Sequence, residues 1–403
     1  MSGVLYDYYR LPPNLLGMQA GQPFETAQLI EDLRREHYTT SAPSNLRMKN
    51  HANVRDAYYS LRGLLPDFIR RWIQRMYLSD WKKLRFPRWP VDFTVDIAHE
   101  ELLRDAMNAT SIKRIPFIWF WPDGASSCLI MTHDVETPIG RDHLCSLMDL
   151  DESYGIKASA QLVPEGRYDL PPNYVEEIQG RGFECNVHDL NHDGRLFDDY
   201  DEFLRRAEKI NRYVQSFGAR GFRAAAMYRK QDWFHAFEFS YDMSVPNVAH
   251  LEPQRGGCCT VMPYFVGNIL ELPLTTTEDY SLFHILNDYS LDLWKKQVDL
   301  IVRRHGLISF IAHPDYLVES RPRLVFQSLL AYLRERVDRE GIWAALPGAV
   351  DRWWRARSQM RLMPTAGGWE IAGPEKHRAR VAYAILDETG DISYELQPTL
   401  PKT

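Results

Sequence analysis

The chain has 403 residues, with 48 Lys and Arg against 54 Asp and Glu, so its formal charge is −6 at neutral pH. Hydrophobic residues make up 45% of it and charged residues 25%, a composition that excludes fibrous repeats and a wholly disordered chain. The mild acidity argues against a general nucleic-acid binder. No apolar run reaches the ~18–20 residues that a membrane-spanning helix needs.

The N-terminus has no basic segment followed by an apolar stretch, so we predict no signal peptide. The five cysteines are an odd number and include no CxxC pair. Cys258 and Cys259 are adjacent, so they could form only a strained disulfide. Reduced thiols are the simplest interpretation, and together these features predict a cytoplasmic protein.

Residues 1–115 are predicted to be mainly helical, and the stretch 45–90 carries eleven Lys and Arg against three acids. Within this stretch apolar side chains recur at helical spacing, with Arg70, Arg71 and Arg75 on the other face. One interpretation is a surface helix that packs on the core through its apolar side. The other is a basic helix that lies on the inner face of an anionic membrane or grips a lipid-linked glycan.

From residue 116 to residue 350, short apolar runs alternate with helical periods. Seven such runs can be distinguished, at 128–133, 157–163, 183–188, 221–224, 241–246, 269–274 and 307–313. This alternation predicts an α/β fold of parallel βα units that close into a seven-stranded (β/α) barrel. Residues 351–403 are predicted to form a small β-rich unit, which must pack against the rest of the chain because it is too small to bury much alone.

Chemically reactive side chains interrupt the apolar pattern where the predicted strands end. In a parallel barrel the βα loops gather at the carboxyl ends of the strands, so functional groups collect there. The candidates come from four different strand ends and are Asp134, Glu136, His188, His192, Arg223 and His313. We therefore expect these six side chains to share one rim of the barrel.

His188 and His192 are four residues apart, so in a helical turn both imidazoles would lie on one face and could share a metal ion. The alternative is a pair of surface or capping histidines. Asp134 and Glu136 on a neighbouring strand end favour the metal, because two histidines and one carboxylate leave positions open for water and substrate. The pattern therefore predicts a hydrolytic metal site.

The order of the segments THDVE, HDLNH, FRAAA and IAHPD resembles the polysaccharide deacetylases of carbohydrate esterase family four, the NodB-homology domain. The resemblance covers about residues 116–350. It implies a distorted (β/α) barrel that removes acetyl groups from N-acetylated or O-acetylated sugars with a divalent metal. Zinc is the expected ion, with cobalt, nickel and manganese as alternatives, and a carbohydrate is the expected substrate.

The resemblance also implies which residues hold the metal. The family places two neighbouring aspartates after its first strand, a general base and then a ligand, and Asp134 matches the base. Val135 occupies the position of the second aspartate. Some relatives use a carboxylate one residue further on, so Glu136 is the expected ligand, together with His188 and His192.

The remaining motifs imply two further catalytic residues. Arg223 matches the arginine that contacts the base, and His313 matches the general acid. The fourth motif is a poor match, because ELPLTTTEDY offers Glu271, Asp279 and Tyr280 without indicating which of them would partner His313.

Together these patterns predict a metal-dependent hydrolase that deacetylates an N-acetylated sugar or glycan precursor. Two alternatives remain open. The altered first and third motifs suggest a catalytically silent glycan-binding relative. A metal-dependent amidase acting on a small non-sugar amide is the other, since related barrels with a spaced carboxylate pair catalyse such reactions.

Overall fold

A computed structural model of the chain describes residues 3–12, 24–41 and 67–397. Its N-terminal part is helical, with α1 (Gly3–Tyr9), α2 (Phe24–Arg34), α3 (Tyr38–Ser41), α4 (Asp67–Tyr77) and α5 (Thr94–Thr110). Residues 45–66 of the basic stretch lie outside the described ranges, as do the side chains of Arg70 and Arg71. Within the described ranges, no helix is both long and apolar enough to cross a bilayer.

Strand β1 (Arg114–Ile118) precedes a central sheet that contains all seven of the predicted strands. These are β2 (Cys128–Val135), β3 (Ala158–Leu162), β4 (Glu184–His188), β5 (Gly221–Arg223), β6 (Tyr241–Asp242), β8 (Ile269–Glu271) and β9 (Leu307–Ala312). Their order is β9-β2-β3-β4-β5-β6-β8, and each neighbouring pair is parallel. Two short additions are β7 (Tyr264–Val266), antiparallel to β8, and β10 (Trp343–Ala344), parallel to the start of β2.

The sheet curls into a distorted barrel whose last side is joined through threonine side chains. The hydroxyl of Thr275 donates to the carbonyl of Leu307 at 2.7 Å and accepts from the amide of Ser309 at 3.0 Å. The hydroxyl of Thr276 donates to the carbonyl of Ser309 at 2.7 Å. These bonds satisfy backbone groups of β9 that a neighbouring strand would otherwise pair. The predicted barrel is therefore confirmed, with the distortion between β8 and β9.

Helices follow most of the strands and cover the outside of the sheet, as is typical of parallel βα units. They are α6 (Pro138–Ser153), α7 (Tyr174–Gly180), α8 (Tyr200–Ser216), α9 (Asp292–Val302), α10 (Ser320–Glu340) and α11 (Pro347–Gln359). Strand β2 lies at the centre and is buried along its whole length. The sequence of a strand buried on both faces is mostly apolar, and here it becomes polar where the strand ends at the site.

The C-terminal region contains β11 (Arg361–Thr365), β12 (Gly368–Ala372), β13 (Val381–Leu386) and β14 (Ile392–Leu396). β11 and β12 form a hairpin, whereas β13 pairs with both β14 and β1. The residues that precede and follow the barrel thus share a small sheet, and their side chains share one hydrophobic core with α1 and α5. The division into parts at residues 115 and 350 stays a prediction.

Candidate metal and catalytic site

The first strand of the barrel brings two carboxylates to its carboxyl end. Asp134 lies near the end of β2 and Glu136 follows the strand directly, while Val135 between them is fully buried. Side chains alternate along an extended chain, so residues two apart point to the same side. Thr137 then begins α6, because its hydroxyl accepts from the amide of Gly140 at 3.0 Å. Because the strand gives way to a helix at Thr137, both carboxylates stay at the rim of the barrel.

Asp134 is held by Arg223, the last residue of β5. The guanidinium Nη1 donates to Oδ1 of Asp134 at 2.6 Å and to the hydroxyl of Thr132 at 2.8 Å, and Nε donates to the carbonyl of Met243 at 3.0 Å. Both charged side chains are buried. Burial by itself would raise the pKa of Asp134, but Arg223 and the nearby His188 outweigh it and lower that pKa below its ordinary value.

Glu136 faces three imidazoles. Its Oε1 lies 2.9 Å from Nε2 of His192, and 3.4 Å from Nε2 of both His188 and His313. Burial acts to raise the pKa of Glu136, but the interactions with His192 and the other imidazoles lower it well below its ordinary value. A carboxylate in this position is ionised at neutral pH and completes a cluster of ligand-type atoms.

The segment from His188 to His192 is a loop, and the expected helical turn is wrong. His188 ends β4, and both Asp189 (φ 56°) and His192 (φ 55°) have left-handed backbone conformations. The amide of Asp189 donates to the carbonyl of Arg223 at 2.8 Å, which holds the loop against β5. The two imidazole rings nevertheless lie 4.7 Å apart, so the loop brings the histidines together without a helix.

The two histidines differ in what holds the other ring nitrogen. Nδ1 of His188 is 3.0 Å from the carbonyl of Arg223, which requires the proton on Nδ1, and Nε2 faces Oε1 of Glu136 at 3.4 Å. Nδ1 of His192 is 2.8 Å from Nη2 of Arg167, which also donates to the carbonyl of His192 at 2.9 Å. A guanidinium has no acceptor, so Nδ1 of His192 must accept. No sequence motif pointed to Arg167.

The spacing of these atoms fits one divalent ion. Ligand atoms of Glu136, His188 and His192 all lie within 4.8 Å of one another, and a second such group joins Asp134, Glu136 and His313. A tetrahedral zinc with bonds of about 2.0–2.1 Å separates its ligand atoms by about 3.3 Å, close to the distances around Glu136. Among the described residues, the buried Nε2 of His192 has no hydrogen-bond partner of acceptable geometry. This nitrogen suits a ligand once it has lost the proton that the bond from Arg167 to Nδ1 places on it.

His313 has a partner that the sequence left open. Its Nδ1 lies 2.6 Å from Oδ1 of Asp279, and its amide donates to Oδ2 of Asp279 at 2.7 Å. Burial acts to lower the pKa of His313, but Asp279 and Glu136 raise it well above its ordinary value. Of the other two candidates, Glu271 lies opposite Asp242 in the sheet, and Tyr280 contacts the N-terminal helix α4. The structure therefore selects Asp279.

No protein-family model matches the chain, and no curated protein matches it. Solved structures do match. One described as a polysaccharide deacetylase from Mycobacterium smegmatis is 15% identical, with a TM-score of 0.47, over 59% of this chain and 93% of its own. Puue allantoinase is 12% identical, with a TM-score of 0.46, over 58% of this chain and 92% of its own.

A third match, described as a polysaccharide deacetylase from Pseudomonas aeruginosa PAO1, is 11% identical, with a TM-score of 0.47, over 58% of this chain and 93% of its own. At such low identities the similarity concerns the fold alone, so the role of each residue is inferred from this chain's own geometry. Over somewhat more than half of its length, the chain is thus similar in fold to solved polysaccharide deacetylases.

Proposed function

We propose that the chain is a metal-dependent hydrolase that removes the acetyl group from an N-acetylated sugar or glycan precursor. The observation that carries this proposal is the separation of two carboxylates on one strand end, the buried Asp134 and the partly buried Glu136. Glu136 faces three imidazoles within 3.4 Å, whereas Asp134 is paired with Arg223 at 2.6 Å. One carboxylate is thereby available as a ligand and the other as a base.

Glu136, His188 and His192 would hold the ion, which we propose to be zinc. When bound, a divalent ion lowers the pKa of a coordinated water and polarises the carbonyl of the scissile amide. The chain's own part is to present three ligand atoms from the segments that end β2 and β4, the strands on either side of β3. Of these, His188 has its Nδ1 bonded to a backbone carbonyl, so Nε2 is the nitrogen directed at Glu136.

Asp134 is the proposed general base. Its Oδ1 accepts from Arg223, so Oδ2 is the oxygen left to take a proton from the attacking water. That Oδ2 lies 3.6 Å from Nε2 of His188, on the side of the proposed ligands. Arg223 keeps the carboxylate ionised and oriented, since a neighbouring positive charge lowers the pKa of a carboxyl group.

His313 is the proposed general acid. Asp279 accepts the proton on Nδ1, so the Nε2 proton points into the site, 3.4 Å from Glu136. Its raised pKa keeps the imidazole protonated at neutral pH. As the carbon–nitrogen bond breaks, Nε2 donates its proton to the departing amine, a role typically worth ~10²–10⁴-fold in rate.

Two tyrosine rings beside the proposed acid favour a sugar over a small amide as the substrate. The ring of Tyr316 lies 4.8 Å from that of His313 and 5.7 Å from that of Tyr280, and both tyrosines are only partly buried. Partly exposed aromatic rings beside polar groups are typical of sites that bind amphipathic ligands. A sugar ring, with apolar faces and a polar edge, matches this surface.

The test is metal analysis of the purified chain combined with acetate release from a panel of N-acetylated sugars and, separately, hydrolysis of cyclic amides. We expect one divalent ion per chain and acetate release that chelation abolishes and zinc restores. His188→Ala should lose the ion, and His143→Ala, at a histidine outside the site, should keep it. Hydrolysis of cyclic amides alone would make the chain an amidase, and glycan binding without metal or turnover would make it a silent relative.

A further inference from the structure

Four large apolar side chains are exposed near the catalytic end of the barrel. They are Trp72 at 62% exposure, Met76 at 58%, Ile139 at 61% and Val318 at 43%. We call this set the apolar lip. Single exposed apolar residues are ordinary on a protein surface, but a group of them on one edge indicates a binding surface. The contacts described next place all four beside the proposed site.

Helix α4 carries the first two members and packs against the loop that follows β8. Nε of Arg75 donates to the carbonyl of His284 at 2.7 Å, and Gln74 hydrogen-bonds the hydroxyl of Tyr280. At these positions the helix contacts the barrel through polar side chains. Trp72 and Met76, one helical turn apart, remain exposed. Among the described side chains of α4, these two apolar ones therefore do not pack on the core.

Tyr316 connects α4 to the catalytic histidine. Its ring lies 4.9 Å from the ring of His284, whose backbone carbonyl accepts the hydrogen bond from Arg75 of α4. The same ring lies 4.8 Å from that of His313. Val318 follows two residues later, in the same short helix. The lip thus continues from α4 past His313 to Val318.

Ile139 adds a third segment to the lip. It lies in the first turn of α6, three residues after Glu136. Its neighbour Gly140 is so close to Asp315 that an added Cβ would lie 3.5 Å from the Asp315 amide. The first turn of α6 and the segment after His313 therefore form one continuous edge around the proposed site.

Exposed cations border this lip, although the whole chain is acidic. Lys82, Lys83 and Arg85 follow α4 closely and are all exposed. A groove of about 510 Å³ between the first turns of α9 and α10 is lined by Lys295 and Arg321, with Asp292 as its acid, on a partly apolar floor. Both helices begin on the catalytic side, because each follows a strand end. An apolar edge flanked by Lys and Arg complements an anionic lipid surface.

We propose that the apolar lip and its neighbouring cations dock the catalytic face on an anionic bilayer, where the substrate is an N-acetylated sugar attached to a lipid. Trp and other apolar side chains bind at the headgroup boundary, and Lys and Arg pair with anionic headgroups. Because the lip lies beside the site, docking would bring Glu136 and His313 to headgroup level. The substrate half of this inference rests on the proposed function, and the docking half does not.

The test is flotation of the full chain with vesicles of equal parts phosphatidylcholine and phosphatidylglycerol, compared with phosphatidylcholine alone. The wild type should float with the anionic vesicles and be released by high salt. The double variant Trp72→Gln/Met76→Gln should bind at least about tenfold more weakly. The matched control, Met363→Gln/Leu396→Gln, changes two exposed apolar residues on β11 and β14 and should bind like the wild type.

Acetate release separates this proposal from the proposed function. The lip variant should match the wild type on a water-soluble N-acetylglucosamine derivative and fall behind on an alkyl-tailed one embedded in anionic vesicles. If neither protein releases acetate but flotation behaves as described, docking stands and the proposed function fails. The docking proposal is overturned if the wild type does not float, if the control variant loses as much binding, or if the lip variant only converts a dimer to a monomer.

Discussion

Two pairs of carboxyl groups in the same sheet have opposite electrostatic surroundings. Asp134 and Glu136 at the end of β2 have lowered pKa values, although burial acts to raise them. Asp242 and Glu271, which lie opposite each other on β6 and β8, have raised pKa values, with burial as the largest cause. The difference is that guanidinium and imidazole groups surround the first pair. Partners, and not burial, therefore decide which carboxyl groups are charged.

The second pair has partners of a different kind. The hydroxyl of Ser244 donates to Oδ1 of Asp242 at 2.8 Å, and the amide of Val245 donates to Oε1 of Glu271 at 3.1 Å. Asp242 also raises the cost of charging Glu271, since two like charges at close range oppose each other's ionisation. This pair secures the chain after β6, whereas the first pair is prepared for chemistry.

The largest expected effects come from substituting the two members of the first pair, Asp134 and Glu136, one at a time. Asp134→Asn should keep bound metal and lose turnover by ~10²–10⁴-fold, because the base is removed and the ligands remain. Glu136→Ala should lose metal affinity, because two protein ligands remain of three. Bound metal and acetate release are measured for both variants. If Asp134→Asn loses the metal while Glu136→Ala keeps it, the two roles are exchanged.

Another buried carboxylate, Asp279, extends the rule that partners decide function. Asp279→Asn should lower turnover by about 10²-fold, because the neutral amide no longer stabilises the protonated imidazole of His313. Metal content should be unchanged, since Asp279 lies outside the proposed ligand set. Acetate release and metal analysis check both statements. Full activity in Asp279→Asn would show that His313 does not act as the acid.

Substituting Arg167 tests how its guanidinium affects metal binding by His192. In Arg167→Gln, the amide oxygen can accept a proton from Nδ1 of His192, which frees Nε2 of the neutral ring for a metal. Zinc affinity, measured by competition with a chromogenic chelator, should rise about tenfold. Arg167→Met, which can neither donate nor accept, should have a smaller effect. A loss of affinity in Arg167→Gln would mean that the guanidinium supports the site.

The smallest expected effect is on stability, and its sign differs between the pairs. With metal removed by a chelator, Asp134→Asn should become less stable relative to the wild type as pH rises through the ordinary aspartate pKa, because only the wild type gains from ionisation in the folded state. Glu271→Gln should become more stable relative to the wild type as pH rises above the ordinary glutamate pKa, because the wild type resists ionising Glu271 when folded. Urea unfolding across pH measures both differences, and slopes of the same sign would contradict the comparison.

Much of the fold could be predicted because it depends on local patterns. The seven predicted strands are confirmed, since short apolar runs between helical periods identify parallel strands directly. The six candidate residues were found by their positions at strand ends, and the structure brings them to one rim. Asp279 could not be chosen over Glu271 and Tyr280, because that choice depends on the path of a loop against a strand 34 residues away.

By itself, the sequence determined that Asp134 and Glu136 face the same side, because side chains alternate along any extended strand. It also determined that the histidines and Arg223 lie at the same rim, because the ends of parallel strands meet there. Only the tertiary structure decided that the segment from His188 to His192 is a loop and that Arg167 holds one of its imidazoles. Local periodicity describes backbone geometry, whereas hydrogen-bond partners and charge depend on groups that are close in space and distant along the chain.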